Sequence, residues 1–124
     1  METRSPDEPT SLGLDPRVAA AMAYLAWWVT GLIVLALERQ NRFVRFHALQ
    51  STLALGALSL VGAGLWVASF ASLVVTAWAF VFLMRLAQLV WLLGVTAWAV
   101  CLYQAASGRW FRLPVFGEMA ERWA

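Results

Sequence analysis

Lysine is missing from this sequence. All 9 basic residues are arginine, and charged residues fill only 13% of the 124 positions, against roughly a quarter in soluble domains. A water-soluble fold of this length needs more polar surface than that, so the solvent around most of the chain is lipid. There is one cysteine, Cys101, and one histidine, His47. That excludes an intrachain disulfide and leaves no Cys/His/carboxylate cluster at metal-ligand spacing. No carboxylate lies between Glu38 and Glu118, which argues against a proton-coupled transporter, since such proteins usually carry an acid within the membrane. A net charge of +2 is far from the dense basic stripe that nucleic acid requires. No catalytic triad, phosphate loop or pair of carboxylates appears. An enzyme and a bound cofactor are therefore not expected.

What is present is hydrophobic: 62% of residues are apolar. Val18 to Leu37 is an uncharged run about as long as the roughly 20 residues a helix needs to cross a bilayer core, and it reads as the first transmembrane helix. Ala48 to Met84 has no charge at all. As one helix it would span about 55 Å, too long for a core of roughly 30 Å, so a break is expected at Gly62-Ala63-Gly64 or Ala68-Ser69. Arg85 interrupts, and Leu86 to Ala106 is apolar again, with Gly108 a candidate C-cap. The fold class is thus an all-α integral membrane bundle with three, or alternatively four, crossings. With three, Arg39, Arg42, Arg45, Arg109, Arg112 and Arg122 share a side, and the positive-inside tendency makes that side cytoplasmic. The membrane expected is a cell's inner (cytoplasmic) membrane.

The acidic, proline-bearing start, residues 1–17, reads as a disordered tail rather than a signal peptide, with Asp15-Pro16 a helix start. The transmembrane domain is expected over 18–108. Residues 109–124 form a cytoplasmic interfacial tail, in which Phe116, Met119, Ala120 and Trp123 recur at helical spacing.

Two sets of residues are candidates for contact. Arg39, Arg42, Arg45 and His47 in the first loop, with Arg109, Trp110 and Arg112 in the tail, interleave guanidinium groups and rings. That pattern suits the headgroup zone, anionic lipid phosphate or a partner's acidic segment, or serves as a plain topology signal. The pair Ala19/Ala23 and the series Ala97/Cys101/Ala105 are four residues apart and form small-residue stripes for close helix packing. His47 reads either as a pH-sensitive or ligating group, or, more blandly, as an interfacial cap of the second helix. Arg85 either reaches the headgroups or is buried and needs a partner. Gln50, Ser51, Thr52, Thr76, Gln88, Thr96 and Gln104 either line a narrow pore or bond helices together.

Several segments resemble a known family. Ala23-Tyr24-Leu25 with Thr30-Gly31-Leu32, then the continuous run from Glu38 through Asn41-Arg42-Phe43-Val44-Arg45-Phe46-His47-Ala48-Leu49-Gln50-Ser51, is similar to the signature of small bacterial and archaeal Tic-twenty-like membrane proteins. Tyr103-Gln104, Gly108, Phe111-Arg112-Leu113-Pro114, Gly117 and Ala120-Glu121 resemble that family's C-terminal signature. The likeness covers about residues 18–122. It implies a small helical membrane domain distantly like a chloroplast import component, although the apolar residues 69–84 stand where the family pattern has a Gly-rich spacer. The expected function is association, as an accessory subunit of a membrane complex or as a homo-oligomer. The alternative is a pore or translocation component.

Overall fold

The computed structural model describes residues 9–124, which are helical with no strand among them. Of the N-terminal tail, residues 1–8 lie outside that range. The remainder is not free: Thr10 to Leu14 turn back on themselves through the Thr10 hydroxyl, and Ser11 bonds to residues Glu38 and Arg39. Helix α1, Pro16–Leu25, starts where its capping chemistry dictates. The Asp15 carboxylate accepts the Arg17 N–H, and Pro16 occupies the first turn.

The first apolar run is not a single helix. Helix α1 ends at Leu25, α2 spans Trp28–Leu37, and each has 10 residues, about 15 Å and half the thickness of a bilayer core. Between them Trp27 takes a φ of 66°, which a non-glycine residue rarely adopts, and the chain reverses. The Ser11 N–H reaches the Glu38 carboxylate at 3.0 Å, so the outer ends of the two helices lie side by side. Twenty uncharged residues in a row thus make a helical hairpin rather than a straight rod. The tip is tolerated because its backbone groups are bonded, as lipid requires. The Thr30 hydroxyl accepts the Ala26 N–H at 3.0 Å, and the Ser51 hydroxyl donates to the carbonyls of Ala23 and Trp27.

Helix α3, Arg42–Gln50, begins with Asn41 accepting the Val44 N–H. It passes through a wider π turn, Ser51–Leu55, into α4, Gly56–Ser72. Together they form one apolar rod, Arg42–Ser72, and α5, Ala77–Ala106, forms a second. These are the two helices long and apolar enough to cross a membrane. The break between them falls at Leu73–Thr76, capped by the Thr76 hydroxyl, and not at Gly62-Ala63-Gly64 or Ala68-Ser69. Gly62 has another job: a Cβ there would meet the Trp91 ring at 2.7 Å, so the glycine lets α4 and α5 approach. Helix α5 runs unbroken through Arg85.

Helix α6, Phe116–Trp123, closes the chain. Its buried Ala120 packs with Phe46 and Leu49 of α3, and Arg42 donates to the Glu121 carbonyl at 3.1 Å. The main core joins Ala19, Ala20, Ala23 and Tyr24 of α1 to Val34, Phe43, Val44, Cys101 and Ala105.

Candidate functional site

At the end of the molecule where α1, α3, α5 and the C-terminal segment meet, polar groups are buried in a closed chain of hydrogen bonds. Leu113 N–H donates to Gln50 Oε1 at 2.9 Å, and Gln50 Nε2 donates to both the Phe111 carbonyl and the Tyr24 hydroxyl, at 2.9 and 3.0 Å. Tyr24, having accepted from Gln50, directs its own proton to His47 Nδ1 at 2.8 Å. His47 Nε2 then carries the ring hydrogen and donates to the Arg109 carbonyl at 2.9 Å. Each donor has an acceptor, and every group is neutral in this arrangement. Tyr24, His47 and Gln50 are fully buried, so each bond is worth more than it would be in water. Phe43 and Phe46 set their rings edge-on to the imidazole, with centroids 4.7 and 5.1 Å from His47, and Trp110 packs on both phenylalanines. The cluster ties residues 109–113 onto the hairpin and α3. It is an internal latch.

A second polar knot lies beside it. The Glu38 carboxylate accepts backbone N–H bonds from Ser11, Gln40 and Asn41 at 2.9 to 3.0 Å. Burial alone would raise its pKa. The N–H bonds from Asn41, Ser11 and Gln40 outweigh that, and the net direction is down.

The membrane face of α4 carries a different pattern. Leu53, Ala57, Leu60, Gly64, Val67 and Ala71 recur at alternating steps of four and three, the period of a coiled-coil seam. Large and small residues alternate along it. From Leu60 onward the seam is exposed, with Leu60 at 78% and Val67 at 71%, and a Cβ added at Gly64 would meet nothing within 4 Å. It lies opposite the face that packs on α5 through Gly62. At its α3 end a groove of about 490 Å³ opens between Trp28 and the residues Thr52, Leu53 and Gly56.

Comparison with known proteins finds the chain similar to membrane proteins of archaea. It is 38% identical over 116 residues to a UPF0132 membrane protein of Methanocaldococcus jannaschii, covering 93% of this chain and 94% of that one. A UPF0132 membrane protein of Archaeoglobus fulgidus is 39% identical over 109 residues, 88% of this chain and 95% of the relative. The chain belongs to the UPF0132 membrane protein family. A second such protein of M. jannaschii is 33% identical over 91% of the chain. No family model matches the chain, and no solved structure matches it.

In this UPF0132 protein the arginines expected at a headgroup zone gather at one end, and three of them bond within the chain. Arg45 donates to the Glu38 carbonyl at 2.8 Å, Arg42 holds α6, and Arg112 pairs with Glu121 at 3.0 Å. Arg39 and Arg109 are exposed. His47 is neither exposed nor an interfacial cap; it is the centre of the latch. Trp110 packs edge-on against Phe43, its centroid 5.5 Å away. The small residues Ala19, Ala23, Cys101 and Ala105 meet one another inside the chain, so they are spent on internal packing, and Ala97 is half-buried beside them. Gln50 and Ser51 bond within the fold, as does Thr52 to its own helix, whereas Gln88 and Thr96 are exposed on α5.

Sequence reasoning placed Tyr24 and Glu38 only in the family-like signature, without a role, and missed the α4 seam. Tyr24 and Glu38 stand among residues whose helical register the sequence does not display, because the reversal at Trp27 decides it. The seam has a legible spacing, but it is hidden in a segment where every face is apolar.

Proposed function

We propose that this UPF0132 protein is a non-catalytic, multi-pass protein of the cytoplasmic membrane that works by association, as an accessory subunit or a homo-oligomeric scaffold. The α4 seam carries this reading. Between helices in lipid there is no hydrophobic driving force, so association relies on close packing, and small residues facing outward are what permit it. Here they alternate with Leu60 and Val67 as knobs beside holes. The membrane topology that goes with it has two crossings, α3–α4 and α5, and a re-entrant α1–α2 hairpin. Both described chain ends then share a side with Arg17, Arg39, Arg42, Arg45, Arg109, Arg112 and Arg122, opposite Arg85, which suits a cytoplasmic placement of the ends.

Replacing Gly64 with Leu fills the seam without touching α5. The expected outcome is loss of the cross-linked or mild-detergent assembly of the native protein, with its helical content unchanged. If Gly64→Leu and Ala71→Leu both leave every assembly intact, association through α4 is wrong.

One observation favours a translocation component, as the Tic-twenty-like resemblance implies. Arg85, Gln88, Thr96 and Tyr103 lie on one exposed face of α5, with Arg85 donating to Gln88 at 2.9 Å. In an oligomer such a face lines water. Cysteines at 88 and 96 that resist a water-borne thiol reagent throughout would remove this reading.

A further inference from the structure

Beyond association, the structure holds a groove that no functional reading above uses. It runs along the outside of α1, between that helix and the end of α5. Val18, Ala21, Met22 and Leu25 form one wall and Leu102 and Ala106 the other, with Arg17 at the mouth, around about 240 Å³. Past Leu25, which lines both, lies a second hollow of about 330 Å³, lined by Ala26, Trp27, Val95 and Trp98. The first part is smaller than the roughly 300–1,000 Å³ of compact-ligand pockets, and it is long and open along one side. That shape suits a flexible chain.

Its length has a physical meaning. The groove starts at the end of the molecule where the arginines gather and stops where α1 stops, about 12 Å deeper by helical rise. A bilayer core is roughly 30 Å thick, so the groove and the hollow below it extend through one leaflet. The charge stands at the polar end. The Arg17 side chain is exposed and has no side-chain partner among the described residues. Gly108, at a φ of +75°, leaves the space in which it lies: a Cβ there would meet Arg17 Nε at 2.6 Å. A cation over an apolar trough of one-leaflet depth is the complement of an anionic phospholipid, with phosphate at the guanidinium and one acyl chain in the trough.

We infer that the α1–α5 groove is a binding site for one anionic phospholipid of the leaflet that faces the chain ends, read by Arg17. The test uses the full-length protein in nanodiscs of phosphatidylcholine containing a small fraction of phosphatidylglycerol with a photoreactive group on one acyl chain. Cross-links mapped by mass spectrometry are expected to concentrate on residues 18–25 and 102–106. Arg17→Gln is expected to lower them about fivefold, the effect of one basic residue at an anionic surface, and Ala21→Phe to abolish them by filling the trough. Phosphatidylcholine carrying the same group is expected to label all apolar faces alike, and inorganic phosphate is expected not to compete. Equal phosphatidylglycerol labelling of the Leu60–Val67 face, an unchanged yield in Arg17→Gln, or displacement by free phosphate would each overturn the inference. Because Arg17 is exposed, its substitution keeps the test decisive even if Ala21→Phe does not fold.

Discussion

Gln50 gathers more of the fold than any one apolar residue. Its amide bonds Tyr24, Phe111 and Leu113 together, so removing it strands a buried N–H and a carbonyl and takes one donor from the Tyr24 hydroxyl, which keeps its bond to His47. Gln50→Leu is expected to cost about 1–3 kcal/mol and to free residues 109–124 for proteolysis while the two long helices stay protected. Limited proteolysis in detergent reads this directly. Glu38 sets a pH dependence. Its folded pKa is depressed by the N–H bonds it accepts, so its stabilising contribution is fully present above its ordinary value near pH 4.3. It is lost as pH falls through the lower folded value. A melting midpoint that is flat above pH 5 and drops below pH 4, with the drop removed in Glu38→Gln, is the expected pattern. An equal drop in that variant would assign the acid sensitivity elsewhere.

At the scale of elements, the hairpin tip depends on side chains outside it. A Cβ on Gly31 would meet Ser51 Oγ at 2.8 Å and the Ala48 carbonyl oxygen at 3.0 Å. The second of these is backbone and does not swing away. Gly31→Ala is therefore expected to push α2 off the π turn and to lower thermal stability more than Gly64→Ala, whose added methyl has open space. If the two variants melt together, the close packing of α2 on Ser51 does not matter to the fold. This is also where sequence and structure part company. The capping at Asp15-Pro16 and the short α6 are local matters, and spacing made them legible. The apolar character of the two long rods was legible too, but not their bounds, since the break falls at Leu73–Thr76 and Arg85 does not interrupt α5. The reversal at Trp27 was not legible, because a run of twenty uncharged residues reads as a crossing whether or not it is folded in half. What decides is Thr30 and Ser51 supplying bonds to the tip, and Ser51 comes from a different helix. The latch was half legible for the same reason. His47 and Gln50 stood out as polar residues near an apolar run, but their partners Tyr24 and Phe111 are brought to them only by the tertiary fold.

At the scale of the molecule, the proposed two-crossing arrangement would leave a short loop, Leu73–Thr76, alone on the far side. Single cysteines at Val74 and at Arg122, in a Cys101→Ala background, are expected to react with a membrane-impermeant reagent from opposite sides of sealed vesicles. Labelling of both from the same side would show that α5 does not cross. In that topology the shortness of the loop bears on how such a chain enters a membrane. Seating α4 and α5 together as a pair carries four uncharged residues and the single guanidinium of Arg85 through the hydrocarbon, while the α1–α2 hairpin dips in and returns without carrying a terminus across. The thermodynamic barrier to assembly is then mainly one arginine, roughly 2.5–3.5 kcal/mol at the bilayer centre on insertion scales, and biogenesis needs little machinery for moving polar chain to the other side.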